Sequence, residues 1–316
     1  MQVRGFLGLK SETWGARPPG IMDRDGQMGL GPPPRLCGSN GEGSVRNMAR
    51  AEDRPRTLIF VDILGFAEIT KNYQFRVRDS GPDELGFTHS STTEMPNRIN
   101  RFNTVLDQCV FEETSRGGIQ AMLFSDCAFL VFEASLRATV VGASLMRDLI
   151  KRGVPVRMGI GKGTFYNIEY VTNTNVGSVT VSKSRFIGTA VARAHAAEQC
   201  GGKGMRIFLD ASIEEDLPSI CRRIKTLRLA KPFGNVKWEL DYLHESGPAS
   251  ERPKIEAADR ELFEKVAYLK SPGWTANARR HYTQTLAAMN RMREANSRSP
   301  VNLRKLKCGG SADIMW

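Results

Sequence analysis

The sequence predicts an α+β fold, a mixed sheet flanked by helices with a C-terminal helical extension. Three observations carry that prediction. Short runs rich in β-branched and aromatic residues alternate with stretches whose apolar positions recur every three or four residues. Some strand-like runs come in pairs around tight turns. The region after residue 254 carries helical patterning only. The composition suits such a fold, since 316 residues at 41% hydrophobic and 25% charged build a real core and lie far from disordered or fibrous chains.

Residues 1–54 are rich in Gly, Pro and Arg (ARPPG, GLGPPPRLCGSNGEG) without any period and read as a flexible leader. Met48 stands just ahead of the first patterned segment, and a start there would remove the leader. Patterning begins at Thr57, where TLIFVDILGF, ended by Gly65, predicts a strand buried on both faces. The following KNYQFRVRDSGPDELGFTHSSTTEMP reads as loop from its Gly-Pro and Ser/Thr clusters. From Asn97 to Glu113, Ile99, Phe102, Val105, Leu106, Cys109 and Val110 recur at helical spacing. In IQAMLFSDCAFLVFEA two apolar runs flank Ser125 and Asp126, which predicts a hairpin with the acid at its tip. Ser135 reads as the N-cap of the helix ATVVGASLMRDLIKRG, stopped by Gly153.

VPVRMGIGKGTFYNIEYV reads as a second hairpin, RFIGTAVARAHAAEQCGGKG as an Ala-rich helix closed by glycines, and MRIFLDASI as a strand. LRLAKPFGNVKWELDYL predicts two strands around a Gly-Asn turn. Residues 255–295 predict two helical segments separated by SPGW, which cap the sheet or form a small appendage, with residues 296–316 as a tail. No repeat of fixed period is present.

Several functions are excluded or disfavoured at this stage. No apolar run approaches the length of a membrane span, and the start has too short an apolar run for a secretory signal, so a cytoplasmic protein without a membrane partner is expected. The six cysteines form no CxxC pair or Cys/His cluster and read as reduced thiols. The 45 basic and 34 acidic residues give +11, but residues 252–316 alone hold 13 basic and 6 acidic residues. Aromatic residues are not interleaved there, which argues for a solvated face rather than a nucleic-acid surface.

Asp62 ends an apolar strand beside a glycine loop, and Asp126 sits at a hairpin tip. A carboxylate in an apolar strand needs a compensating partner. Either acid alone is accounted for by capping a turn. If their strands are neighbours, the two converge, and hard oxygen ligands favour Mg²⁺ or Mn²⁺.

FVDILGF, FSDCAFLVF and VPVRMGIGKGTF, in that order and spacing, resemble the FxDIxGF opening, the acidic hairpin and the RxGIxxG segment of class III nucleotide cyclases. GTAVARAHAAEQC stands where that family places its ribose and transition-state helix, and LAKPFGNVKWELDY stands near its terminal lysine. The resemblance covers roughly residues 57–243 and implies a cyclase-like mixed sheet as the catalytic domain. It also implies two metal ions per site, Mn²⁺ or Mg²⁺, held by Asp62, Asp126 and the Ile63 carbonyl. The ribose 3′-oxygen would then attack the α-phosphorus in line as pyrophosphate leaves. The amides of Leu64, Gly65, Phe66 and Ala67 would cradle the triphosphate, with Arg157 and Lys231 as phosphate cations.

The chain departs from that pattern on the helix. The positions of the family's ribose-orienting Asn and transition-state Arg are Ala192 and Ala196, with Arg193 and His195 close by, and Arg193 is the candidate replacement cation. Loss of one such contact costs on the order of 100-fold in rate. Gln120 and Arg185 occupy the base-reading positions, where neither the Lys/Asp pair for adenine nor the Glu/Cys pair for guanine is present. Gln offers donor and acceptor and Arg only donors, which suits the carbonyls of uracil or the O2 and N3 of cytosine.

In these features the chain is similar to the pyrimidine cyclases of bacterial Pycsar anti-phage systems. That resemblance implies conversion of UTP, or CTP, to the 3′,5′-cyclic nucleotide, with a cyclic-nucleotide-sensing effector downstream and a homodimer that completes each site. The alternatives are a purine cyclase with unusual base contacts and a dimerising nucleotide-binding module without catalysis.

Overall fold

The computed structural model describes residues 54–66, 94–174, 179–244, 249–269, 276–303 and 306. The expected leader up to residue 53, and the expected loop up to residue 93, lie outside them. The opening run forms β1 (Arg56–Ile63), followed after the undescribed stretch by α1 (Glu94–Ser115). The acidic hairpin is β2 (Gln120–Leu123) and β3 (Cys127–Phe132), and α2 (Ser135–Lys151) follows. Next come β4 (Val156–Gly163), β5 (Tyr166–Thr174), β6 (Val179–Ile187) and α3 (Thr189–Glu198). β7 (Ile207–Leu209), a 3-10 turn (Ala211–Asp216) and α4 (Leu217–Ile220) lead to β8 (Thr226–Phe233) and β9 (Val236–Leu240). The chain then enters α5 (Arg252–Leu269) and α6 (Ala276–Ala295).

Seven strands form one mixed sheet in the order β2-β3-β1-β4-β7-β9-β8, while β5 and β6 pair only with each other. β4 and β7 run parallel, and the other pairs are antiparallel. Strand alternation divides β1 between two cores. Ile59, Val61 and Ile63 enter the large core, and Leu58 and Phe60 enter a smaller one that contains Ala190 and Ala194 of α3. Leu262, Phe263 and Val266 of α5 and Leu286, Met289 and Met292 of α6 belong to the large core, so the C-terminal helices cap the sheet rather than form an appendage.

α3 lies flush on β4 because every second residue of that strand on the near face after Arg157 is glycine. A Cβ added at Gly159 would fall 2.1 Å from the Ala194 carbonyl oxygen, and one at Gly161 would fall 2.6 Å from the Ala194 nitrogen. The buried side chains of α3 are Ala190, Ala194, Ala197 and Glu198, small residues that complete the close approach, with one exception.

Three expectations are corrected. The second hairpin is β5–β6, not β4–β5, because β1 and β7 already occupy both edges of β4. The segment Arg185–Ile187 accordingly ends β6, and the Ala-rich helix starts at Thr189. Ser135 does not cap its helix: Ala134 stands at the N-cap without a side-chain bond, and the Ser135 hydroxyl donates to Asp216 Oδ2 at 2.5 Å and lies 2.7 Å from Thr57 Oγ1.

Candidate active site

β1 and β3 place Asp62 opposite Cys127, and the next rung is closed by the Ile63 amide donating to the Asp126 carbonyl at 2.9 Å. Asp62 and Asp126 therefore stand at the same end of adjacent strands, and the Asp126 charge acts on Asp62. Gly65, at φ +76°, turns the chain away immediately after them, a conformation that favours glycine. On its other side Asp62 is paired in register with Arg157 of β4.

The electrostatics of this corner are dominated by negative charge. Burial pushes the Asp62 carboxyl up to about 7, the charges of Glu198 and Asp126 push in the same direction, and Arg157 pulls it back less than these raise it. Burial, followed by Asp126, Asp62 and Glu198, likewise raises the Cys127 thiol to about 12. Asp126 accepts from the Ser125 hydroxyl at 3.1 Å. Among the described residues no group of three or more His, Cys, Asp or Glu side chains is arranged to hold a metal. A cation here would rest on Asp62, Asp126, backbone oxygen and substrate oxygens, a hard all-oxygen set suited to Mg²⁺ or Mn²⁺. The raised Asp62 carboxyl fits that reading, because a cation would offset both the burial and the repulsion that disfavour its charged form.

Sequence reasoning missed Glu198. It is 0% exposed at the end of α3, Oε1 accepts from Arg157 Nε at 2.5 Å, and Oε2 accepts from Gln199 Nε2 at 2.6 Å. Burial raises its carboxyl, opposed by Arg157. Its signal was the spacing Ala190, Ala194, Glu198, which puts a charge on the small-residue stripe that must face the sheet.

Two expected contacts are corrected. The Arg157 guanidinium is buried between Glu198 and the Gly202 carbonyl, which accepts from Nη1 at 3.0 Å, so it is engaged within the fold rather than presented as a phosphate cation. The Leu64 amide donates to the Pro155 carbonyl at 2.9 Å and is not available to a triphosphate. Phe66 is half-buried, and Ala67 lies outside the described residues.

Gln120, Arg193 and Lys231 stand away from Asp62 within one chain. Gln120 is exposed on edge strand β2 and connects through Val131 to Leu58, four positions or ~13 Å along β1 from Asp62. Arg193 is exposed, and Nη1 donates to the Lys162 carbonyl at 2.7 Å. Lys162 is opposite Thr57, five positions or ~16 Å from Asp62. Lys231 is exposed on β8, at the far edge of the sheet with β4, β7 and β9 intervening, ~19 Å away. Arg185 is exposed on β6. Ala192 and Ala196 lie on the outer face of α3, and the His195 ring lies 5.1 Å from that of Phe60. Cys109, Cys127, Cys200 and Cys221 are free thiols, and Cys37 and Cys308 fall outside the described residues.

No protein-family model and no curated protein matches the chain by sequence. Solved structures similar to it include cyclase domains. The guanylyl cyclase Cya2 aligns over 62% of this chain and 95% of its own, at 16% identity and a TM-score of 0.38. The guanylate cyclase domain of RhGC from Catenaria anguillulae, in complex with GTP, aligns over 59% and 94% at 16% identity and 0.40. The adenylyl cyclase CyaB from P. aeruginosa aligns over 61% and 95% at 14% identity and 0.36. At such identities the reading of the site rests on this chain's own residues. No helix among the described residues is long and apolar enough to cross a membrane.

Proposed function

We propose that this chain is a nucleotide cyclase that closes a pyrimidine nucleoside triphosphate, UTP ahead of CTP, into its 3′,5′-cyclic monophosphate with release of pyrophosphate. The observation that supports the reading is the placement of Asp62 and Asp126 at one end of adjacent strands, beside the Gly65 turn, in a corner where negative charge is in excess. Asp62, Asp126 and the Ile63 carbonyl would hold the divalent ions, whose chemistry is to acidify the 3′-hydroxyl and to neutralise charge on the leaving pyrophosphate. The Gly65 amide follows the acidic strand directly and is a backbone donor for phosphate oxygens. Gln120 and Arg185 lack the purine-reading residue types and support the pyrimidine preference.

A homodimer supplies what one chain separates. Gln120, Arg193 and Lys231 lie too far from their own Asp62, and Leu123, Phe124 and Ile187 leave 41%, 44% and 55% of their surface exposed near β2 and α3. A second copy covers such apolar surface and brings its own base and phosphate contacts to the first copy's acids. The product acts as a second messenger on a cyclic-nucleotide-sensing effector in anti-phage defence. One observation favours a second reading, a nucleotide-binding module without turnover: Ala192 and Ala196 offer no polar group, and the Arg193 guanidinium is tied to a backbone carbonyl.

Incubation of the purified protein with ATP, GTP, CTP and UTP separately, each with Mn²⁺, followed by mass identification of products, decides between them. Cyclic UMP or cyclic CMP is expected, and Asp62→Asn or Asp126→Asn is expected to lower the rate at least ~100-fold. Cyclic AMP or cyclic GMP as main product sinks the pyrimidine preference. No product from any triphosphate, with nucleotide binding intact, leaves the binding module.

A further inference from the structure

Arg157 and Asp62 face each other across β4 and β1, and directly opposed residues on one face of an antiparallel pair have Cβ atoms ~4.5–5.5 Å apart. An opposed Arg and Asp at that spacing ordinarily form an ion pair. Here they do not, because the guanidinium is drawn the other way, onto Glu198 and the Gly202 carbonyl.

The chain just after Gly202 is fixed from an unexpected direction. Residues 202–206 form a strap from the end of α3 into β7. The Met205 amide donates to Thr285 Oγ1 at 2.8 Å, and the Gly204 amide donates to His281 Nδ1 at 3.2 Å, both on α6. Thr285 is 0% exposed, and a Cβ added at Gly204 would meet its hydroxyl at 2.8 Å. The Tyr242 hydroxyl donates to the Met205 carbonyl at 3.1 Å, and the Met158 amide donates to the Arg206 carbonyl at 3.0 Å. Arg206 and Arg291 of α6 both donate to Glu239. The C-terminal helix, the strap and β4 are thereby one connected unit.

We propose that Glu198, together with the strap that α6 braces through Thr285, is a positioning device that keeps Arg157 off Asp62, so that the Asp62 carboxylate stays available to a divalent cation. This rests on the reading of Asp62 and Asp126 as the cation site. If the brace is lost, Gly202 shifts, the guanidinium loses a partner, and its nearest alternative is the carboxylate opposite. An arginine paired with Asp62 then competes with the metal for the same oxygens. The C-terminal extension thus acts on the site through Arg157, without touching metal or substrate.

The test is Mn²⁺ binding to the full chain by titration calorimetry, with circular dichroism and thermal unfolding to verify folding. Thr285→Val keeps size and charge but removes the acceptor, and is expected to weaken Mn²⁺ binding at least fivefold, while Thr285→Ser stays within twofold of wild type. Adding Arg157→Met to Thr285→Val is expected to restore binding, because the competitor is gone. Glu198→Gln, alone and with Arg157→Met, repeats the comparison should Thr285→Val fold poorly. Wild-type Mn²⁺ binding that neither Thr285→Val nor Glu198→Gln weakens, or a loss that Arg157→Met does not restore, overturns this proposal alone. Wild-type protein that binds no Mn²⁺, or binds it equally well as Asp62→Asn, overturns the cation-site reading itself and this proposal with it.

Discussion

Asp62 and Asp259 are two aspartates taken out of water in opposite parts of the molecule, and they are treated in opposite ways. Asp259 on α5 is 3% exposed, and its Oδ2 accepts from Arg293 Nη1 at 2.5 Å and Arg298 Nη1 at 2.6 Å. Those arginines also donate to the Ser299 and Leu243 carbonyls, so the cluster ties the C-terminal helices to each other and to the turn after β9. Asp62 has an arginine opposite it too, but that arginine is committed elsewhere, and the two charges that act on Asp62 most strongly are further acids. A carboxylate given cations by the chain is structural. One deliberately surrounded by like charge, with its natural partner held back, is poised for a cation from outside.

The largest expected effect that would break this contrast concerns Asp259. Asp259→Ala leaves two buried guanidinium groups without their anion, and a loss of about 3–5 kcal/mol in unfolding free energy is expected from urea titration. A change below about 1 kcal/mol would show that the cluster does not bind the C-terminal helices to the fold.

The opposite sign is expected at the other aspartate. Asp62→Asn removes a charge disfavoured by burial and repelled by Glu198 and Asp126, and the metal-free variant should be more stable than wild type by about 1–2 kcal/mol at pH 8, a figure reduced for the solvent the carboxyl retains. Activity and stability then move in opposite directions, as for site residues selected for chemistry rather than for folding. Equal or lower stability of Asp62→Asn would mean that Asp62 is satisfied inside the fold.

The sheet and the acidic pair were legible in the sequence because their signals are local. FVDILGF declares an Asp inside an apolar strand, and FSDC declares an Asp between two apolar runs. What escaped depends on partners distant along the chain. Arg157 looked like a phosphate cation because its strand is apolar, yet its anion lies 41 residues later on α3. Ser135 looked like a cap, but Asp216 lies 81 residues away. The β5–β6 pairing was missed because β6 alternates β-branched and polar residues with no apolar run to mark it, so β5 was joined to β4 instead. The role of the C-terminal helices as a lid on the core, rather than an appendage, follows from helix faces whose target no periodicity specifies.

The smallest expected effect is a pH dependence that sharpens the contrast. The folded Asp62 carboxyl lies at about 7 and that of Asp241 at about 6, the latter raised by burial against the hydrogen bonds from Asn296 and the Leu243 amide. Both lie above the ordinary 3.8, so the folded chain holds protons that the unfolded chain releases. Each therefore contributes stability that is complete below pH ~3.8 and is lost as pH rises through its folded value. In chelator, at constant ionic strength, the urea midpoint of the wild type should fall between pH 5 and 8, by about 1 kcal/mol or more in free energy. Asp62→Asn should remove the upper part of the fall, between about pH 6 and 7, where Asp62 alone still holds a proton that the unfolded chain has lost, and should lessen the fall below pH 6, whereas Asp241→Asn should lessen only the fall below pH 6. Saturating Mn²⁺ should flatten only the upper part, because a cation on Asp62 replaces the proton there and does nothing for Asp241. A midpoint that rises across this range, or an upper part indifferent to both Mn²⁺ and Asp62→Asn, would place the excess charge somewhere other than the β1–β3 corner.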